Sequence, residues 1–215
     1  MSPAGGPGPA SPPPFDAHPI LAALARHHVD YVIVGGYGAR LHGAQRPTSD
    51  VDVTPSTTTE NLRRLAAALR ELSARIRTED VDGGLPFDVS GESLVGMRML
   101  NLTTDHGDVD LTVRPAAFDD GYAELIDRAG THTVGDLQVH VAALSDIIRS
   151  KETAARAKDL RALPELHALA RGAAAADQDD PEVASPPGEE DPAAAAARRI
   201  ARARAQAAEH RRRRG

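Results

Sequence analysis

The spacing of apolar residues predicts two helices in the first half of the chain. Helical periodicity covers residues 14–28 and residues 57–72, because apolar positions three and four apart fall on one face of a helix. Thr58 or Thr59 is positioned to cap the second helix. The apolar stripe of that helix, which we expect to be buried in the core, consists of Leu62, Leu65, Leu69 and Leu72.

Strand patterns lie between and after these helices. An apolar run at residues 30–34 ends at Gly35 and Gly36, which predicts a buried strand that enters a tight turn. The polar–apolar alternation that is typical of half-buried strands recurs at residues 49–53, 97–103 and 107–113. Because the link between the last two segments is short and turn-like, we predict that they form a hairpin.

Further helices and a second hairpin complete the pattern. Helical segments are predicted at residues 37–42, 118–129 and 142–170. We expect Ser145 to cap the last of these, and we expect a break in it near Pro164. A small hairpin is predicted at residues 132–141, whereas the Gly- and Asp-rich residues 78–93 favour no regular element. This order of elements indicates an α/β or α+β fold, with a mixed β-sheet flanked by helices and a helical C-terminal part.

Composition indicates one aliphatic domain with a tail at each end. The 215 residues are 41% hydrophobic but only 3% aromatic, so Leu, Val, Ile and Ala must fill the core. A chain of this length favours one domain plus tails. We assign residues 1–14, rich in Pro and Gly, to a flexible leader, residues 15–171 to the domain and residues 172–215 to a low-complexity tail.

The tail contains two blocks of opposite charge. Residues 177–191 carry seven acids and no base, whereas residues 198–214 carry eight Arg and one acid. Blocks of like charge are usually disordered and often bind a partner. Three alternatives stay open for the Arg-rich block: a disordered segment, a mobile Ala-Arg helix, or a segment that binds RNA or another polyanion.

Composition also excludes several classes of protein. The absence of Cys excludes a disulfide scaffold, a thiolate zinc site and a cysteine nucleophile. No apolar stretch reaches about 18 residues, and the first residues lack the pattern of a signal peptide. We therefore expect a soluble cytoplasmic protein with no membrane segment. The net charge of −6 disfavours a globally basic nucleic-acid binder.

Three Asp residues lie in strand patterns suited to metal binding. Asp50 and Asp52 are two residues apart, so their side chains would share one face of a strand, about 7 Å apart. Asp110 lies between apolar neighbours on another predicted strand. If these strands are neighbours, three carboxylates meet on one sheet face, where hard oxygen ligands suit Mg²⁺. Upstream, Gly35 and Gly36 would let backbone amides approach a phosphate.

These segments resemble the nucleotidyltransferase superfamily that has the DNA polymerase beta palm fold. In that family, an apolar residue and two small residues precede an Asp-x-Asp pair, and an apolar-Asp-apolar strand follows. The corresponding segments here are residues 34–36, then residues 50–52 after thirteen further residues, and residues 109–111. Residues 42–52 are more similar still to the minimal bacterial branch that includes the abortive-infection (AbiEii-like) toxins. The resemblance covers residues 29–169 and neither tail.

The resemblance implies a palm-like sheet with a metal-dependent active site. Asp50, Asp52 and Asp110 would hold two Mg²⁺ ions, and Asp110 would also accept the proton of the attacking hydroxyl. Gly35 and Gly36 would cradle the β- and γ-phosphates of a nucleoside triphosphate such as ATP. Further nucleotide contacts are implied for Arg46, Ser49, Lys151 and Asp159.

Three neighbouring features have simpler interpretations. Asp108 shares the face of the third acid but adjoins a glycine, so we interpret it as a turn acid. Lys151 and Lys158 are seven residues apart, a spacing that predicts one shared helix face. Asp159 is interpreted either as an acid near the site or as the ion-pair partner of Arg156.

The function that the resemblance implies is transfer of a nucleoside monophosphate to a hydroxyl acceptor. The acceptor would be an RNA end such as that of tRNA, a protein or a small molecule. The first two suit a toxin of a toxin–antitoxin pair, with an antitoxin protein as partner. The third suits an antibiotic-modifying enzyme. The alternative that is not an enzyme is a module that has the same fold and binds a nucleotide without catalysis.

Overall fold

The computed structural model describes residues 15–176. The predictions made for the leader at residues 1–14, and for the charged blocks at residues 177–191 and 198–214, concern residues outside this range. No helix in the described range is long and apolar enough to span a membrane.

Strands and helices alternate along residues 15–176. The strands are β1 (Tyr31–Val34), β2 (Asp50–Pro55), β3 (Arg75–Ile76), β4 (Met99–Thr104), β5 (Gly107–Thr112), β6 (Gly130–Val134) and β7 (Leu137–Val141). The helices are α1 (His18–Arg26), α2 (Gly35–Leu41), α3 (Thr59–Glu71), α4 (Tyr122–Leu125), α5 (Leu144–Ala154), α6 (Ala157–Leu160) and α7 (Leu163–Ala176).

The strands form one mixed sheet in the order β3-β4-β5-β2-β1-β7-β6. Strand β2 runs parallel to β5, and β1 runs parallel to β7, while the other neighbouring pairs are antiparallel. The predicted mixed sheet with flanking helices is therefore confirmed. Both predicted hairpins, β4–β5 and β6–β7, are present.

An apolar core lies against each face of the sheet. In β1, Ile33 packs into the core that contains α1 and α3, whereas Val32 and Val34 pack into the core that contains α5 and α7. In β2, Val51 and Val53 are fully buried in the first of these cores. Because strand side chains alternate between faces, the Asp residues of β2 project from the opposite face, the one that carries α2.

Helix α3 forms as its sequence pattern predicted. Thr58 Oγ1 accepts a hydrogen bond from the Asn61 N–H over 3.3 Å, so Thr58 rather than Thr59 is the N-cap. The Asn61 side chain then donates to the carbonyl oxygens of Asp30 and Ser56, which joins the start of the helix to the ends of β1 and β2. The predicted stripe is buried against the sheet: Leu62, Leu65, Leu69 and Leu72.

The prediction of a helix over residues 118–129 is wrong for most of that segment. Only Tyr122–Leu125 forms a helix. Gly121 precedes it with a φ of 52°, a left-handed conformation in which a right-handed helix does not continue. A Cβ on Gly121 would overlap the carbonyl oxygen of Val113. The backbone therefore turns tightly at this point, and Phe118 is buried in the core instead of lying on a helix.

The single helix predicted over residues 142–170 is divided into three. Ala155 has a φ of 49° and ends α5 in the left-handed region. Ser145 is not the cap, because the N-cap position is Ala143 and no side chain bonds there. Pro164 lies in the first turn of α7, where its missing N–H has no helical partner to lose. One break therefore lies at Ala155, which was not predicted, and the other lies at residues 161–162, close to Pro164 as predicted.

Candidate functional site

Two parallel strands bring four Asp side chains to one face of the sheet. In the register of β2 and β5, Asp50 lies opposite Asp108 and Asp52 lies opposite Asp110. Strands β2 and β5 are therefore neighbours in the sheet, as they must be for their carboxylates to meet. We call Asp50, Asp52, Asp108 and Asp110 the acid cluster. The alternate residues of both strands are buried in the core on the other face: Val51, Val53, Val109 and Leu111.

Asp108 belongs to strand β5, so its interpretation as a turn acid is wrong. The turn between β4 and β5 is confined to residues 105–106. Asp108 is paired with Thr103 of β4 on one side and with Asp50 of β2 on the other. Its carboxylate therefore faces the same side of the sheet as the other acids.

Negative charge is concentrated in the acid cluster. Burial raises the pKa of Asp52 to about 6, and the charges of Asp50 and Asp110 contribute to this rise. Burial also raises the pKa of Asp110 above its ordinary value, again with a contribution from Asp50. Carboxylates that raise one another's pKa are stabilised when a cation lies between them.

Gly35 and Gly36 pack directly against one of these carboxylates. Gly35 has a φ of 62°, and a Cβ at this position would overlap the carboxylate of Asp52. The Gly36 N–H donates to Asp52 Oδ2 over 3.3 Å. The glycine pair is therefore required for Asp52 to lie beside the start of α2. Contact of the two glycines with nucleotide phosphates stays a prediction.

The loop before β2 contributes one contact to the cluster. Thr48 donates through Oγ1 to Asp50 Oδ1 over 2.8 Å and so orients that carboxylate. Arg46 and Ser49 are exposed on the same loop, and neither side chain bonds to another residue of the described range. Nucleotide contacts of these two residues stay predictions.

Arg77 is the residue of the site that sequence analysis missed. Its Nη2 donates to Asp110 Oδ1 over 2.7 Å, and its Nη1 lies 2.6 Å from Asp108 Oδ2. Strand β3 pairs with β4 up to Ile76, which brings the next residue to the edge of the cluster. No sequence signal pointed to this contact, because Arg77 adjoins the segment for which the pattern favoured no element.

The basic residues near the C-terminal end of the domain lie on separate helices. Lys151 is in α5 and Lys158 in α6, so the predicted shared helix face is wrong. Lys151 donates to Asp159 over 3.2 Å, and Arg156 donates to the same carboxylate over 2.6 Å. Burial raises the pKa of Asp159, but the hydrogen bonds and the positive charges of Arg156 and Lys151 together outweigh it and hold the pKa below its ordinary value. The ion pair with Arg156 is therefore present, and nucleotide contacts of Lys151 and Asp159 stay predictions.

Lys158 is the lysine that acts on the acid cluster. Its charge lowers the pKa of Asp52. Its side chain is exposed and makes no ion pair with any residue between 15 and 176. It is therefore free to meet an anionic ligand, whereas Lys151 is already bonded to a buried carboxylate.

Comparison with known proteins gives weak structural similarities. A scan against models of protein families finds no match, and a search of curated protein sequences finds no significant one. The chain is similar to the lincosamide antibiotic adenylyltransferase LnuA bound to lincomycin, with 13% identity and a TM-score of 0.49 over 73% of this chain and 99% of that one. It is also similar to ANT(2")-Ia in complex with adenylyl-2"-tobramycin, with 21% identity and a TM-score of 0.46 over 75% of this chain and 88% of that one.

A candidate nucleotidyltransferase from Thermotoga maritima is similar too, with 15% identity and a TM-score of 0.45 over 69% of this chain and 88% of that one. Because all three TM-scores lie below 0.5, we base the functional inference on the chain's own residues. The narrower resemblance to the AbiEii-like branch stays a prediction that these three proteins do not test.

The chemistry of the acid cluster suits a hard divalent cation. Carboxylate oxygens are the ligands that Mg²⁺ prefers. The raised pKa values of Asp52 and Asp110 indicate that the negative charge of the cluster is not fully neutralised. As the side chains lie, no three acidic or histidine groups within residues 15–176 converge on one ion position. Asp110 is paired with Arg77 instead. Binding of an ion by all three predicted ligands would therefore require that Asp110 turn away from this arginine.

Proposed function

We propose that this protein is a Mg²⁺-dependent nucleotidyltransferase that moves a nucleoside monophosphate from a nucleoside triphosphate to a hydroxyl acceptor. The observation that carries the proposal is the register of β2 and β5, which aligns Asp50 and Asp52 with Asp108 and Asp110 on one sheet face. Burial, together with the charges of Asp50 and Asp110, raises the pKa of Asp52, and this supports the proposal because a bound cation would offset the repulsion among these carboxylates.

The three predicted ligands divide two roles in the proposed reaction. Asp50 and Asp52 would hold the metal ions, with Thr48 orienting Asp50 and Gly36 orienting Asp52. Magnesium bound there would neutralise the charge of the triphosphate and align the attacking and leaving oxygens. Asp110 would complete the ligand set and accept the proton of the acceptor hydroxyl.

The proposed reaction is a single displacement at the α-phosphorus. The acceptor oxygen forms a bond to the α-phosphorus, and the bond from that atom to the oxygen bridging the α- and β-phosphates breaks. Pyrophosphate leaves with the electron pair of the broken bond, and the hydroxyl proton passes to the Asp110 carboxylate. Positioning of the two reactants would contribute much of the rate enhancement.

Positive side chains around the cluster would bind the triphosphate. Lys158 is the strongest choice, because its exposed ammonium group already acts on Asp52 and has no carboxylate partner in the described range. Arg46 and Ser49 are exposed on the loop that leads to Asp50 and would contact the phosphates or the base. Lys151 would contribute only after release from Asp159, to which it donates over 3.2 Å.

The acceptor decides the biological role. An RNA end or a protein hydroxyl would suit a toxin with a cognate antitoxin, as the resemblance of residues 42–52 suggests. A hydroxyl of an antibiotic would make the protein a resistance enzyme. These acceptors share the same chemistry at the phosphorus, so the acid cluster is common to them and a direct assay must separate them.

The deciding experiment is a label-transfer assay with the full-length protein. It would be incubated with Mg²⁺ and each α-³²P-labelled nucleoside triphosphate, with total tRNA, lysate protein, lincomycin and tobramycin as acceptors. The Asp52→Asn variant removes one charge from the cluster, and Asp82→Asn, at an exposed acid outside it, is the matched control.

We expect the wild type and Asp82→Asn to label one acceptor class. Asp52→Asn should lose at least about a hundredfold of that activity, because loss of a residue that only orients a metal ligand already costs about 10–100-fold. Equal labelling by Asp52→Asn would contradict the proposed site. Nucleotide binding without transfer to any acceptor would favour the non-catalytic module.

A further inference from the structure

One basic side chain within residues 15–176 makes ion pairs with the acid cluster, and it belongs to Arg77. Its two terminal nitrogens bridge Asp108 and Asp110, which are two residues apart on β5. Asp50 and Asp52 make no ion pair with a described residue. Four carboxylates therefore share a single contacting cation.

The backbone of Arg77 is fixed, whereas its side chain has a route to solvent. The Arg77 N–H donates to the Asn101 carbonyl oxygen over 2.9 Å, and Asn101 is paired with Asp110 in the β4–β5 register. The Arg77 side chain remains 30% exposed, compared with 16% for Asp110. The guanidinium can therefore leave Asp110 by rotation about side-chain bonds, without rearrangement of the sheet.

The contact with Arg77 competes with the role proposed for Asp110. Asp110 Oδ1 accepts the Arg77 hydrogen bond, and the Arg77 charge opposes the rise in the pKa of this carboxylate. A divalent ion at the cluster would meet that same charge at close range and be repelled by it. Separation of Arg77 from Asp110 would remove the repulsion and free the oxygen for metal ligation.

We propose that Arg77 is a displaceable counter-cation that offsets part of the negative charge of the acid cluster in the metal-free protein and competes with a divalent ion for Asp110. The inference rests on the proposed function, because it takes the cluster as a metal site. Arg77 is then a positioning residue that acts through Asp110. Separation of Arg77 from Asp110 costs free energy, and this cost weakens the binding of the ion.

Calorimetric titration of the full-length protein with Mn²⁺, in the absence of nucleotide, measures this competition. We expect Arg77→Gln to bind Mn²⁺ about fivefold more tightly than the wild type, the factor that corresponds to loss of a partly exposed ion pair. Arg75→Gln is the matched control, because Arg75 pairs with Asp105 over 3.2 Å, outside the cluster. Its Mn²⁺ affinity should equal that of the wild type.

A second measurement follows the displacement of Arg77 in the wild-type protein. Its result therefore does not depend on whether Arg77→Gln folds. The side-chain nitrogen signals of Arg77, assigned by comparison with Arg77→Lys, would be recorded by NMR during titration with Mg²⁺. We expect these signals to shift and broaden as the ion is added, while those of Arg75 stay unchanged.

The outcomes separate this inference from the proposed function. Tighter Mn²⁺ binding by Arg77→Gln, together with loss of binding in Asp52→Asn, supports both. Binding that depends on Asp52 but is equal or weaker in Arg77→Gln, or unchanged Arg77 signals on Mg²⁺ addition, overturns the inference alone. Absence of any binding that depends on Asp52 overturns the metal site and this inference together.

Discussion

At the scale of single residues, the contact between Gly35 and Asp52 determines where one of the cluster's carboxylates lies. Gly35 adopts a φ of 62° and leaves no room for a Cβ next to that carboxylate. A side chain at this position would have to displace either Asp52 or the start of α2. The glycine that follows the first strand therefore shapes the acid cluster itself, in addition to any contact with phosphate.

Replacement of Gly35 by Ala should lower stability and disturb the site together. The left-handed φ alone disfavours Ala by about 1 kcal/mol, and overlap with the Asp52 carboxylate adds to this. We expect a total loss of about 2–3 kcal/mol in the free energy of unfolding, with loss of divalent ion binding. Thermal or denaturant unfolding and Mn²⁺ titration measure these two effects.

Gly83→Ala is the matched control for that substitution. Gly83 has a φ of 78°, and a Cβ there would meet no atom within 4 Å. This variant should therefore lose only the conformational part, about 1 kcal/mol, and keep its divalent ion affinity. Equal losses in the two variants would mean that the contact with Asp52 contributes nothing.

At the scale of helices and strands, the sequence predicts elements that have a local pattern and fails where tertiary contacts decide. The alternation around Asp52 and Asp110 was sufficient to predict β2 and β5. Their register was not predictable, because it depends on packing between distant segments. The break at Ala155 was missed because Ala is the strongest helix former, so that nothing local marked it. Arg77 was missed because only the pairing of β3 with β4 brings it to the acids.

The left-handed conformation of Ala155 predicts a stabilising substitution. Gly adopts this conformation without the steric penalty of a Cβ, and left-handed residues that end helices are usually Gly. We expect Ala155→Gly to raise the free energy of unfolding by about 0.5–1 kcal/mol, measured by chemical denaturation.

Ala168→Gly provides the opposite case in the same set of helices. Ala168 is exposed within α7, where Gly lowers helix stability by about 1 kcal/mol relative to Ala. The two Ala→Gly variants should therefore differ in sign. Destabilisation by Ala155→Gly would mean that the chain between α5 and α6 adopts another conformation in solution.

At the scale of the whole molecule, the acid cluster lowers the stability of the folded protein, and the packing of the rest of the sheet keeps the four carboxylates together. Burial and the charges of its neighbours raise the pKa of Asp52 to about 6. The folded protein therefore retains this proton at pH values where the unfolded chain has lost it. The contribution of Asp52 to the free energy of unfolding consequently falls as the pH rises from about 4, the pKa in the unfolded chain, to about 6.

Asp52→Asn should therefore stabilise the metal-free protein while it removes the proposed metal binding. We expect a gain of about 2 kcal/mol in the free energy of unfolding at pH 7 in the presence of a chelator, since functional charges often lower stability. The gain should be small at pH 4, grow up to about pH 6 and stay constant above it. Urea unfolding at several pH values measures this difference.

Asp82→Asn removes the same charge at an exposed position and should leave stability within about 0.5 kcal/mol of the wild type. Addition of Mg²⁺ should then stabilise the wild type but not Asp52→Asn, because a ligand that binds only the folded state shifts the unfolding equilibrium. If the wild type were more stable than Asp52→Asn in the presence of a chelator, the charge of Asp52 would not be destabilising and this prediction would be wrong.

The parallel pairing of β2 and β5 also has a consequence for the order in which the chain folds. Helix α3, β3 and β4 lie between these two strands in the sequence, and pairing across such long separations forms late. A nascent chain that ends before β5 holds Asp50 and Asp52 but lacks their partners on the sheet. Ion uptake would then coincide with the pairing of β5 with β2, so that a chain interrupted before β5 during synthesis could not carry out the proposed reaction in the cell.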